Sequence, residues 1–156
     1  MLLVMPMANA EIQLHYNGDP RFPMIDIHQG YVTYIDKTSL YVLLYAPPDY
    51  RVCVATFTAS DYGKGPASNY QSYEFNYFYD DDDPYMFINR HGPRERLDPA
   101  GDTGYPNYFL MKTGEATFYL EYGIKFYGRH TWWSNSTKRY EKCLPDEFYD
   151  ILDNKR

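Results

Sequence analysis

The clearest hydrophobic pattern in the chain runs through Tyr73, Phe75, Tyr77 and Tyr79, which alternate with Glu74, Asn76 and Phe78. A period of two places alternate side chains on opposite faces of an extended strand. Arg51 to Ala59 repeats it, with Val52, Val54, Thr56 and Thr58 on one face and Cys53, Ala55, Phe57 and Ala59 on the other. Leu40 to Ala46 is a nearly continuous apolar run of strand length, the pattern of a central strand covered on both faces, although a short helix also satisfies it. Tyr31 to Ile35 carries strand-forming residues, and Asp36-Lys37-Thr38-Ser39 reads as a turn. Breaks at Pro47-Pro48-Asp49, at the Gly/Pro segment Asp61 to Ser68 and at Asp80 to Pro84 separate these runs. Tyr85 to Ile88 can pair back as a hairpin partner, so Leu40 to Ile88 reads as an antiparallel meander.

The flanks are less regular. Ile12 to Tyr16 is a short apolar run ended by the turn signal Asn17-Gly18-Asp19-Pro20, and Pro23 and Gly30 break the next segment. Asn89 to Asn107, rich in Gly, Pro and charge, reads as a long loop. Ala116, Phe118, Leu120 and Tyr122 alternate as a strand would, yet Phe118/Tyr122 and Ala116/Leu120 also fit helical i,i+4 contacts. We read a short helix bracketed by Gly114 and Gly123. Leu144-Pro145-Asp146-Glu147 is a helix start, with Pro in the first turn and acids at the positive end of the dipole, and Phe148, Ile151 and Leu152 form its apolar stripe. The expected fold is mainly β (α+β): an antiparallel meander sheet, or partly open barrel or sandwich, with one or two short C-terminal helices.

Composition adds three points. With 156 residues, 44% hydrophobic and 23% charged, the chain suits one domain with a real core. Tyrosine is unusually abundant, at 19 residues against 2 Trp and 9 Phe. Its apolar ring and polar tip suit either a half-buried sheet face or a wet contact surface. A net charge of -6 with no basic stripe argues against nucleic acid and anionic membranes as partners.

Leu2 to Met7 followed by Ala8-Asn9-Ala10 reads as the end of a secretory signal peptide with a small-x-small cleavage site, leaving residues 11–156 as a β-rich domain. No Lys or Arg precedes the apolar run; a disordered or strand-forming N-terminus is the other reading. No stretch is long enough to cross a bilayer as a helix. Cys53 and Cys143 are the only cysteines, and an oxidising compartment would permit a bridge between them; two free thiols is the alternative.

Catalytic patterns are sparse. His15, His28, His91 and His130 form no H-x-x-x-H or H-x-H pair, and no nucleophile elbow or phosphate-binding glycine loop is present. Asp80, Asp81, Asp82 and Asp83 could attract Ca²⁺, but they lack the spaced ligand pattern of a calcium loop, and a solvated charged turn between two strands is the plainer reading. Asp98, Asp102 and Gly104 form a weaker carboxylate cluster with turn chemistry. In Trp132-Trp133 the two indoles of a strand would face opposite ways, one to the core and one to solvent. No cofactor is expected.

Tyr34-Ile35-Asp36-Lys37-Thr38-Ser39, Pro47-Pro48-Asp49-Tyr50-Arg51, Phe57 and Asp61-Tyr62 resemble a group of uncharacterised secreted proteins of anaerobic bacteria. Gly114-Glu115-Ala116-Thr117-Phe118-Tyr119-Leu120 through Phe126-Tyr127-Gly128 resembles their C-terminal helical segment, and the element order is loosely similar to surface-adhesin-E-like domains. The resemblance implies export, a small β-rich fold and no enzymatic activity. The expectation is therefore a secreted or periplasmic, non-catalytic binding module that meets a protein or glycan at the cell surface through Tyr73, Tyr77, Tyr79, Trp132 and Trp133. The rival is a small hydrolase or metal-dependent enzyme whose site is gathered from scattered Asp and His.

Overall fold

The computed structural model describes residues 11–89, 93–99 and 105–156. Its frame is an antiparallel meander of six strands that curls into a half-barrel. In chain order these are β1 (Met24–His28), β2 (Tyr31–Ala46), β3 (Asp49–Ala59), β4 (Ala67–Phe78), β5 (Tyr85–Asn89) and β6 (Glu95–Leu97), each paired with the next. Helix α1 (Tyr105–Tyr122) packs on one face, a two-stranded ribbon of β7 (Thr131–Ser134) and β8 (Arg139–Lys142) comes next, and α2 (Asp146–Leu152) closes the chain.

Period-two patterning sets the faces. Val52 and Val54 of β3, Phe75 and Tyr77 of β4, Met86 and Ile88 of β5, and Leu97 of β6 point to the helix side. They meet Leu110, Met111, Ala116 and Phe118 of α1 and Phe148 and Leu152 of α2 in the main core. The opposite face is covered only at one end. There Tyr16, Phe22, Met24 and Ile27 pack over Val32, Tyr34, Phe57 and Ala59 in a second, smaller cluster.

The helix comes unusually close to the sheet. A Cβ on Gly114 would stand 2.7 Å from Sδ of Met86 and 3.1 Å from the Phe75 ring. The Tyr77 hydroxyl donates to the Gly114 carbonyl at 2.6 Å. Gly114 is thus the contact point of α1 rather than its start. The helix begins at Tyr105 and ends at Gly123, whose positive φ of 69° and N–H bond to Tyr119 O close the last turn. The expected loop from Asn89 to Asn107 accordingly contains β6 and the first turn of α1.

Two expectations about β2 are corrected. Asp36 to Ser39 does not reverse the chain. Asp36 Oδ1 accepts from Thr38 N at 2.9 Å and Thr38 Oγ1 at 2.6 Å, and the Ser39 hydroxyl accepts from Ala55 N at 2.7 Å. The turn chemistry is spent on a bulge inside one strand, where the register to β3 shifts between Asp36 and Tyr41. Nor is Leu40 to Ala46 covered on both faces. Tyr41, Leu43, Leu44 and Tyr45 are 64%, 46%, 39% and 65% exposed. The residues that cover the outer face, Tyr16, Phe22, Met24 and Ile27, sit at the other end of β2, over Val32 and Tyr34, and the pairing with β1 also ends at Tyr34. Among the described residues, no helix is long and apolar enough to span a membrane.

Candidate functional site

Tyr73 and Tyr77 of β4, and Tyr79 just beyond it, face the helices. Tyr77 is 2% exposed in the core, and Tyr73 and Tyr79 pack half-buried against it. Tyr77 is thus a core residue, and Tyr73 and Tyr79 contribute part of their rings to the same core. The tryptophans divide as their alternation requires. Trp132 packs edge-on against Tyr127 and donates its Nε1–H to the Tyr127 carbonyl at 2.9 Å. Trp133 is 46% exposed and packs on Tyr140.

The acidic run is exposed turn structure: Asp82 N donates to Asp80 Oδ1 at 2.9 Å, and Asp81 pairs with Arg129 at 2.9 Å. Arg129 also donates to the Tyr79 hydroxyl. The histidines are dispersed. His15 Nε2 lies 3.0 Å from the Ile151 carbonyl, His28 stacks on Tyr105, and His130 sits edge-on to Trp132. His91, Asp102 and Gly104 lie outside the described residues, as does the Ala8-Asn9-Ala10 segment. Among the described residues, no three His, Cys, Asp or Glu side chains gather around a common metal position.

The permitted Cys53–Cys143 bridge is absent and both thiols are free. Cys53 stands opposite Tyr41 and Glu74, on the face away from α1. Cys143 packs against the helix-side core, so the sheet separates the two. Burial pushes the Cys143 thiol up to about 12, with the nearby Glu115 carboxylate adding to the shift. It raises Cys53 too, so neither thiol is poised as a nucleophile.

Two buried charged arrangements carry no motif. Asp26 of β1 accepts from both Lys112 and the Tyr105 hydroxyl, joining the edge of the sheet to α1. Glu115 of α1 is fully buried. Its Oε2 accepts Tyr127 N at 2.7 Å, while Oε1 accepts Gly128 N at 3.2 Å and the Tyr149 hydroxyl at 2.8 Å. Burial raises its pKa above the ordinary carboxylate value, and these bonds pull it partly back. Each carboxylate fastens elements distant in sequence and stands away from solvent, as a structural clamp does.

The uncovered end of the sheet's outer face is different. Arg51 of β3 and Asn76, Phe78, Tyr85 and Phe87 of β4 and β5 point outward there, and with Leu44 and Arg94 they line a cavity of about 380 Å³. Phe78 and Tyr85 stack with centroids 4.8 Å apart, and Phe87 packs edge-on to Tyr85. Arg51 Nε donates to Asn76 Oδ1 at 2.9 Å and lies 3.3 Å from Glu74 Oε1, which also accepts from Asn89. That bond fixes the amide orientation and leaves Asn76 Nδ2 buried with no hydrogen-bond partner. Of the two arginines in this lining, Arg51 is paired with Glu74, and Arg94 stands there with Asp49. Asn76 and Phe78 are visible in the sequence as the alternate face of the tyrosine strand, but their alternation alone does not distinguish a ligand wall from a solvated face.

No family model, curated protein or solved structure matches this chain.

Proposed function

We propose that the protein is an exported, non-catalytic binding module whose ligand seats on the open face of the sheet, and that the ligand is an acidic saccharide of the cell surface. The observation that carries this reading is the Asn76 amide. A buried donor without an acceptor costs about 1–3 kcal/mol and calls for an explanation, and an acceptor brought by a ligand to the cavity wall supplies one. The neighbouring Arg51 and Arg94 suit a carboxylate, and Leu44, Phe78, Tyr85 and Phe87 supply the apolar wall that a sugar ring packs against. Export rests on the Ala8-Asn9-Ala10 pattern and on the resemblance to secreted proteins. Of the aromatic residues expected to meet a partner, Trp133 alone keeps a well-exposed ring, and it stands on the separate β7–β8 ribbon.

Isothermal titration with trigalacturonate, and with maltotriose as the neutral control, tests the reading. Binding of the uronate, its loss in Asn76→Leu and Arg94→Ala, and no heat from maltotriose are expected. Equal binding of both sugars, or of the uronate by the variants, would overturn it.

A further inference from the structure

The outer edge of β2 from Leu40 to Ala46 combines three properties that are rarely left together. Its backbone is unpaired: the pairing with β1 stops at Tyr34, the Arg21 carbonyl takes Lys37 N, and among the described residues no strand pairs with that edge beyond. Its side chains are large and apolar on both faces. It also carries no charge between Lys37 and Asp49, in a chain of net charge -6. Natural edge strands of this length are normally shielded by lysine, proline, a bulge, a covering element or a partner. Here Pro47 comes only at the turn, and the one bulge of the exposed run is a second register shift to β3, between Val42 and Leu44.

That bulge has a consequence for pairing. Tyr41 and Leu44 stand opposite Cys53 and Arg51 and so share the open face, while Val42 and Tyr45 stand opposite Val52 and Tyr50 and share the helix face. Leu40 also packs toward the helix-side core. The register shift at Leu43 therefore puts Tyr41 and Leu44 on one face and Leu40 and Tyr45 on the other, at equal distances either side of the Val42–Leu43 peptide. Two antiparallel copies related by a two-fold axis at that peptide bring Tyr41 against the partner's Leu44 on one face. They bring Leu40 against the partner's Tyr45 on the other.

We infer that Leu40 to Ala46 is the pairing strand of a two-fold homodimer, in which the β2 edges of two copies join into one continuous sheet. A second copy satisfies every requirement the edge sets: a strand for the open backbone groups, matching apolar side chains on both faces, and no charge brought into the contact. The pairing strand and the cavity share Leu44 and Ala46, while the rest of the cavity wall comes from β3, β4, β5 and Arg94.

Sedimentation velocity on the full chain, from micromolar to hundreds of micromolar, tests it, with Leu43→Lys and Tyr41→Lys as variants. Both positions are solvent-exposed, and thermal unfolding establishes that each variant is folded. The wild type is expected to double its mass with concentration. Each lysine is expected to raise the dimer dissociation constant by at least about tenfold, since it places a charge in a contact otherwise made of apolar side chains. A wild type that stays monomeric, one that assembles beyond a dimer, or folded variants that dimerise as well as the wild type would each overturn the inference.

Discussion

Nε of Arg51 donates to Oδ1 of Asn76 across the β3–β4 pair at 2.9 Å, and that one bond decides which end of the amide is left over. The remaining end, Nδ2, is buried without an acceptor. In the unliganded protein it opposes folding. Asn76→Leu removes the orphan donor, while Arg51 keeps Glu74 as a partner. Urea unfolding is expected to show the variant as stable as the wild type or more stable, by about 1 kcal/mol, although it no longer binds.

Asp26 and Lys112 are a nearly buried ion pair, with side chains 5% and 13% exposed. Breaking such a pair leaves a charge stranded. Lys112→Ala is expected to cost about 3–5 kcal/mol in urea unfolding, whereas Asp26→Leu combined with Lys112→Met recovers most of that loss. Equal losses in the single and double variants would contradict the pairing.

Glu115 gives a pH signature. Its folded-state pKa is raised, because burial disfavours the charged form more than its hydrogen bonds favour it. Its protonated form therefore contributes stability that is fully present below the ordinary carboxylate value of 4.5 and is lost as pH rises through the folded pKa. Relative to Glu115→Gln, the wild type is expected to lose stability as pH rises from that value, then to level off. Parallel stability curves for the two proteins, measured by urea unfolding at each pH, would exclude this.

Gly114→Ala tests the closeness of α1 to the sheet. A methyl in an ordinary helix interior gains about 1 kcal/mol over glycine. Here it meets Met86 and Phe75 at 2.7 and 3.1 Å, and overpacking of that kind costs about 1–3 kcal/mol. A lowered melting temperature is expected; a raised one would mean that α1 has room to move outward.

How much of this is legible in the sequence depends on how local each determinant is. The alternation of Arg51 to Ala59 and Tyr73 to Tyr79, and the Pro-Asp-Glu start of α2, arise from neighbouring residues and can be read directly. The exposure of Leu40 to Ala46 is not legible, since it depends on which end of β2 the covering residues occupy. The role of the tyrosine stripe turns on which face α1 covers, and Gly114, which has the look of a helix boundary, is what lets α1 approach. Asn76 has no motif. Its interest comes from a bond made by Arg51, 25 residues away, and from a bond that is missing. Asp26 with Lys112, and Glu115 with Tyr127 and Tyr149, are likewise joined only by the fold.

The central claim, a ligand seat on the open face, is tested most directly by the side-chain amide resonances of Asn76 in ¹⁵N NMR during titration with trigalacturonate. The account predicts a saturable downfield shift of one Asn76 amide proton as it gains an acceptor. It also predicts coupled movement of Arg51 Nε–H and quiet resonances for Trp132 and Trp133. An unmoved Asn76 amide in the folded protein at saturating uronate would contradict it.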